Sequence, residues 1–280
     1  MIKCISQWSV RGSGDGTRSM DDIFAEVKAA GFEGIELTIG FAGNLTPETD
    51  EGTCRSYREA AARHGLVVET LASGMTWGCS PTNPDPAVRR RAVEIHRRAL
   101  ERAGWLGCRA MLFVPGAVRI PWDDAYGPVR YDQAIGWAGE AVAALLPAAE
   151  QAGVDLCVEN VWNGMFYSPL ELAAFVDGFA HPRLGVYLDV GNLLGLHQYP
   201  PHWIEILGPR IRRVHLKDFR QSVGGLAGFC DLLAGDVPYP EVMAALRAVG
   251  YDATVVAEMM PPDPTLLERT NQALDRILAL

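Results

Sequence analysis

No stretch of this 280-residue chain approaches the roughly 20 consecutive apolar residues of a membrane-spanning helix. The opening MIKCISQWSV also lacks the cleavable apolar segment of a secretory leader, so a soluble, cytoplasmic protein is expected. Positive charge is scarce: 25 Lys and Arg stand against 34 Asp and Glu, for a formal net charge of −9. Binding to a phosphate backbone is driven by Lys and Arg displacing counterions, so nucleic acid is excluded as the expected partner and a small molecule takes its place. The six cysteines, Cys4, Cys54, Cys79, Cys108, Cys157 and Cys230, fall singly, with no CxxC pair. That spacing argues against a disulfide framework and for reduced thiols packed as small hydrophobes. No Gly-rich phosphate fingerprint follows the first apolar run, which removes the main support for a Rossmann domain. No linker or break in composition interrupts the chain, so one domain is expected over residues 1–280.

What the sequence does have is a steady alternation of short apolar runs with longer segments of helical period. The first unit pairs residues 2–8 with a helix over 20–31, the second 32–39 with 46–65, and the third 66–73 with 85–104. In the second and third units glycine closes the helix, as a left-handed cap. The fourth unit pairs 108–116 with 131–153, and the fifth the run VDLCVENV with a helix over 168–178, where Ser168, Pro169 and Glu171 make a good start. The runs LGVYLDV, IRRVHLKD and ATVVAEM supply strands six to eight, with helices over 202–208, 239–250 and 264–280. Eight strands and eight helices in unbroken βα order predict an α/β protein, a closed (β/α)8 TIM barrel.

Four of these runs carry an acid or an imidazole at or near the C-terminal end: Glu159, Asp189, His215 and Glu258. A strand rich in Val and Leu has no use for a carboxylate except as a ligand, a base or a buried ion-pair partner. Taken singly, Asp189 or Glu258 is as readily an ion-pair partner, and His215 a satisfied core histidine. Four in succession predict a divalent-metal site, because a barrel gathers the C-terminal ends of its strands at one mouth. Oxygen donors with one imidazole suit Mn²⁺ first, with Mg²⁺, Co²⁺ and Zn²⁺ also open.

The motifs GFEGIEL, VEN, YLDVGN, VHLKD, the loop LLAGDVPYPEVMAALRAVGY over 232–251, and the final AE together resemble the xylose isomerase-like barrel superfamily, in its sugar and sugar-phosphate isomerase and epimerase branch. The resemblance covers nearly the whole chain and is strongest to ketose 3-epimerases, L-xylulose-5-phosphate 3-epimerases and hexulose-6-phosphate isomerase-like proteins. It implies one divalent ion held by Glu159, Asp189, His215 and Glu258, with the two glutamates also exchanging protons at the substrate. It implies a sugar or sugar phosphate as partner and pairing through the loop face into a homodimer or homotetramer, which Trp77, Trp122 and Tyr126 would suit. The chain departs from the pattern at two places: Asn192 stands where many ketose epimerases carry a substrate-touching histidine, and Met165 replaces a further glutamate.

For substrate contact the sequence offers Asn160, Asn192, Lys217, Trp8 and Trp77. Each has a plainer reading. The asparagines could cap loops, the tryptophans fill core or interface, and Lys217 is a point charge that fits sugar oxygens or a phosphate equally. Asp218 is open in the same way, and Glu36 is either structural or site-lining. The basic run over 89–98 reads as a solvated helix face. Three alternatives to an epimerase remain: an inosose-type dehydratase on the same metal site, an apurinic endonuclease, and a non-catalytic sugar-binding barrel. The endonuclease calls for histidines on the early strands and a basic face, where this chain has Glu36 and Glu69 and an acidic balance.

Overall fold

Side chains alternate faces along a strand, and that period decides which residues of this chain point inward. The computed structural model describes residues 1–280. Eight parallel strands close into a barrel: β1 (Ile2–Ser6), β2 (Gly34–Ile39), β3 (Thr70–Ser73), β4 (Ala110–Phe113), β5 (Asp155–Glu159), β6 (Leu184–Asp189), β7 (Ile211–Leu216) and, last in sequence, Thr254–Ala257. The ring closes by pairing of β1 with that last strand. Between β7 and it lies a two-residue antiparallel ribbon, β8 (Asp218–Phe219) with β9 (Phe229–Cys230), so the closing strand is β10.

Two apolar cores follow from the alternation. A small one inside the barrel gathers Ala72, Ala110, Leu112, Val114, Cys157 and Tyr187. A much larger one fills the space between strands and helices, from Ile5 and Ile35 out to Leu274 and Ile277. The helices that cover it are α1 (Met20–Ala29), α2 (Glu51–Arg63), α3 (Pro86–Leu106), α4 (Tyr131–Ala152), α5 (Pro169–Asp177), α6 (Val190–Gly195), α7 (Pro200–Leu207), α8 (Tyr239–Ala248) and α9 (Leu266–Leu278). No helix is long and apolar enough to cross a membrane.

The expected barrel is present, with local differences. There are nine helices, not eight, because α6 starts directly at the tip of β6 with Asp189 as its cap. The third helix does not stop at Gly104 but runs to Leu106 and is capped by Gly107 at φ +79°. Gly104 instead permits close approach of α3 to α4, since a Cβ there would stand 3.0 Å from the Ala152 carbonyl oxygen. The second helix begins five residues later than expected, at Glu51, where Asp50 accepts a hydrogen bond from the Thr53 amide at 2.9 Å. Strand β7 carries one residue more than its neighbour: Val186 pairs with Ile211 and Tyr187 with Arg213, leaving Arg212 without a partner in register.

One buried side chain makes the fold acid-sensitive. His96 of α3 is fully buried, with Nδ1 2.8 Å from the Ala92 carbonyl and Nε2 3.2 Å from the Ser73 hydroxyl. Burial pushes its pKa from 6.5 down to about 4 despite the backbone hydrogen bond. The unfolded chain therefore takes up a proton before the folded one. Stability is lost as pH falls from 6.5 towards about 4, by a full contribution of about 3 kcal/mol below that window. Urea unfolding at pH 7 and pH 4.5 should register this loss, and His96→Gln should reduce it. An unchanged acid slope in the variant would assign the loss to other groups.

Candidate active site

The strand order β10-β7-β6-β5 places four of the predicted residues side by side at the C-terminal mouth. Glu159 ends β5, Asp189 ends β6, His215 is the penultimate residue of β7, and Glu258 directly follows β10. Asp189 and His215 are paired in register across β6 and β7. One donor atom from each of the four lies within 4.8 Å of the others, and all four residues are buried.

His215 sits at the centre. Its Nδ1 is 2.8 Å from Glu258, 3.7 Å from Glu159 and 3.8 Å from Asp189. Its Nε2 is 2.9 Å from Oε1 of Glu36 on β2, whose other oxygen accepts a hydrogen bond from the Tyr187 hydroxyl. Glu36 thus orients the imidazole so that Nδ1 faces the three carboxylates. Lys217 completes the cluster, with Nζ 2.9 Å from Asp189 and 3.0 Å from Glu258.

Asp189 is held from both sides. Its Oδ1 accepts the Asn192 amide at the start of α6, while the Asn160 side chain brackets its peptide, accepting from Asp189 N–H and donating to its carbonyl, each at 2.8 Å. These bonds fix the carboxylate and leave Oδ2 aimed into the cluster. Asp189 Oδ2 and His215 Nδ1 are both buried without a hydrogen-bond partner, although charged atoms lie within salt-bridge distance of each. Orphaned buried atoms of this kind are rare.

The electrostatics are lopsided. Four buried carboxylates, those of Glu36, Glu159, Asp189 and Glu258, face one lysine and one imidazole. Burial pushes Glu159 up to about 7, against the pull of His215 and Lys217. Burial would raise Glu258 as well, but there the Lys217 and His215 charges win and hold it at about 2. For His215, burial disfavours the charged ring, yet Glu36 and Glu258 outweigh it and raise its pKa. The donor set of carboxylate oxygens with one imidazole and an excess of negative charge fits a divalent cation, and the two orphaned atoms point to where it would bind.

Above the cluster lies a cavity of about 780 Å³, lined by Trp8, Trp77, Asn192, Lys217, Glu159 and Glu258 among others. Four of the five residues expected to contact substrate therefore face it. The fifth, Asn160, does not line the cavity, because its amide is committed to the Asp189 backbone. Asp218, although at the wall, is likewise committed, accepting the amides of Phe219, Gly235 and Val237. Trp122 packs edge-on to Trp77 at 4.8 Å in the cavity wall, while the Tyr126 hydroxyl bonds within its own chain to Ser80 and Ala117. Trp162 and Phe229 are wall residues that the sequence does not announce: Trp162 lies in the loop after β5 and Phe229 opens the two-residue β9, and their rings pack at 5.1 Å.

The profile of the xylose isomerase-like TIM barrel family matches residues 24–278. The chain belongs to that family. Among curated relatives of this xylose isomerase-like barrel is a protein of Escherichia coli (strain K12) provisionally named L-ribulose-5-phosphate 3-epimerase SgbU, 28% identical over 244 residues, covering 83% of this chain and 80% of the relative. Another is D-psicose 3-epimerase of Ruminiclostridium cellulolyticum, 24% identical over 242 residues, covering 83% of this chain and 75% of the relative. A solved structure of D-psicose 3-epimerase with D-tagatose, from Clostridium cellulolyticum H10, superposes with a TM-score of 0.82 over 99% of both chains at 19% identity. At that identity the superposition speaks for the shared barrel alone.

Proposed function

We propose that this xylose isomerase-like barrel is a divalent-metal-dependent sugar epimerase, acting at C3 of a ketose. Glu159, Asp189, His215 and Glu258 would hold the ion, Mn²⁺ by first choice. The observation that carries the reading is the convergence of four buried donors with two orphaned atoms at the barrel mouth. The names of the two curated relatives, both 3-epimerases, support the choice of C3. When bound, the ion would supply Lewis acidity, lowering the cost of negative charge on the substrate oxygens beside the reacting carbon.

The remaining work falls to side chains. Glu159 and Glu258 reach in from β5 and β10, with β6 and β7 between them, so they approach a sugar seated over His215 from opposite sides. One carboxylate takes the C3 proton, and the electron pair of the broken C–H bond delocalises onto the neighbouring ketone. The other, protonated, delivers a proton to the opposite face of the same carbon, and the configuration inverts. In the reverse direction the two exchange roles. Asn192 and Lys217 stand at the cavity floor to hold sugar hydroxyls, and Trp8 and Trp77 wall the ring.

NMR of ketoses and ketose phosphates incubated in D₂O with Mn²⁺-loaded protein, then freed of metal, tests the assignment. Deuterium at C3 with a new diastereomer is expected. Deuterium at C1 with aldose formation would replace it by an aldose–ketose isomerase, and no exchange with any member of the panel would overturn it. Glu36 gives a separate check that needs no turnover. A carboxylate holding the far nitrogen of a ligand histidine commonly contributes 10- to 100-fold in metal affinity. Mn²⁺ titration followed by electron paramagnetic resonance should therefore find Glu36→Gln weaker by about that factor. Unchanged affinity would leave Glu36 a structural acid.

A further inference from the structure

The cavity over the acidic cluster is larger and more apolar than proton exchange at one sugar carbon requires. Its volume of about 780 Å³ lies in the upper part of the range for small-molecule sites, about 300–1,000 Å³. Polar groups gather at the floor, where Glu159, Glu258, Asn192 and Lys217 lie. The wall above is built from Trp8, Trp77, Trp122, Trp162 and Phe229. At the rim Trp122, Leu226 and Met260 remain 46%, 53% and 59% exposed. Apolar side chains left open together around a concave mouth mark a surface that awaits a ligand.

Charge points the same way. Lys217 is the only Lys or Arg among the lining residues, and its ammonium is already shared between Asp189 and Glu258. The fourth charged wall residue, Asp218, is bound up with three backbone amides. A phosphate entering this mouth would give up its water with no guanidinium to receive it and with carboxylates at the floor. An uncharged ring would instead find flat aromatic faces on which to stack.

We propose that the natural substrate is an unphosphorylated ketose that carries an uncharged, apolar-faced ring on the hydroxyl farthest from its carbonyl. The reacting end sits on the acidic cluster, and the ring lies against the tryptophans of the outer chamber. The placement of the reacting end rests on the epimerase reading; the preference for the substituent follows from the wall alone.

Three D-fructose derivatives that differ only on O6, carrying methyl, benzyl or phosphate, separate the two claims. With Mn²⁺-loaded protein, kcat/KM for deuterium uptake at C3 should be at least about tenfold higher for the benzyl than for the methyl ether. The phosphate should fall at least about tenfold below the methyl ether. Trp122→Ala, at an exposed position, should erase most of the benzyl advantage, and Leu226→Arg should raise kcat/KM for the phosphate. A phosphate ester turned over as well as or better than the benzyl ether overturns the proposal. If none of the three exchanges deuterium, the epimerase reading has failed, and the substituent preference is read from quenching of tryptophan fluorescence in Mg²⁺-loaded protein. Tighter binding of the benzyl ether upholds the preference; equal or tighter binding of the phosphate, or no binding of the benzyl ether, overturns it.

Discussion

Glu159→Gln and Glu258→Gln are each expected to lower turnover at least about 10⁴-fold while leaving the circular dichroism spectrum unchanged. Glutamine keeps the shape and one acceptor oxygen but cannot take up or release the proton. Positioned acid–base groups contribute about 10²–10⁴-fold, and each variant also removes a metal ligand, so the losses compound. The two sites are not equivalent in the cluster as it stands: burial drives Glu159 up to about 7, whereas Lys217 and His215 overcome burial and keep Glu258 at about 2. Deuterium uptake at C3, followed by NMR, reads both variants. Activity near wild type in either would sink the two-glutamate mechanism.

Stripping divalent metal should abolish turnover and lower the melting temperature by about 5–10 °C, with Mn²⁺ restoring both. The first effect follows from the role proposed for the ion. The second follows from linkage, since a ligand at 100 times its dissociation constant stabilises the folded state by about 2.7 kcal/mol. It is reinforced by the four carboxylates buried together, whose mutual repulsion only Lys217 and His215 relieve. Calorimetric scans with EDTA and with Mn²⁺ check it. Asp189→Asn and His215→Ala should show little or no metal-dependent shift. A wild-type melting temperature indifferent to Mn²⁺, Mg²⁺, Co²⁺ and Zn²⁺ alike would remove the metal centre from the account.

Much of the barrel was legible because strand and helix carry different periods, and inward residues of β5, β6, β7 and β10 end in chemistry that an apolar run does not explain. Boundaries were less so. Gly104 has the composition of a cap but serves the approach of α3 to α4, a distinction set by Ala152 some fifty positions away and invisible in local sequence. That Asp189 also caps α6 is visible only in the structure: the cap fixes Oδ1 and turns Oδ2 into the cluster, towards Lys217. Asn160 looked like a sugar contact for the good reason that it follows Glu159 at the mouth, yet its amide brackets the neighbouring strand. Glu36 was ambiguous because its partner, His215, is 179 positions distant. Of the aromatic wall, Trp8 and Trp77 are legible at the strand tips, but Trp122 and Trp162 lie in loops and Phe229 in a two-residue strand, segments with no period to say which way they fold.

The unpaired Arg212 has a consequence for everything above it on β7. Counted from Ile211 opposite Val186, an unbroken ladder would bring Val214, not His215, beside Asp189. A step of one residue along a strand turns every later side chain to the other face. Were Arg212 paired in register instead of bulged, the imidazole would lie among the helices and an isopropyl group would occupy the mouth, so the reactive centre hangs on the parity of a single strand, decided three residues before the ligand and on the structural side of the barrel.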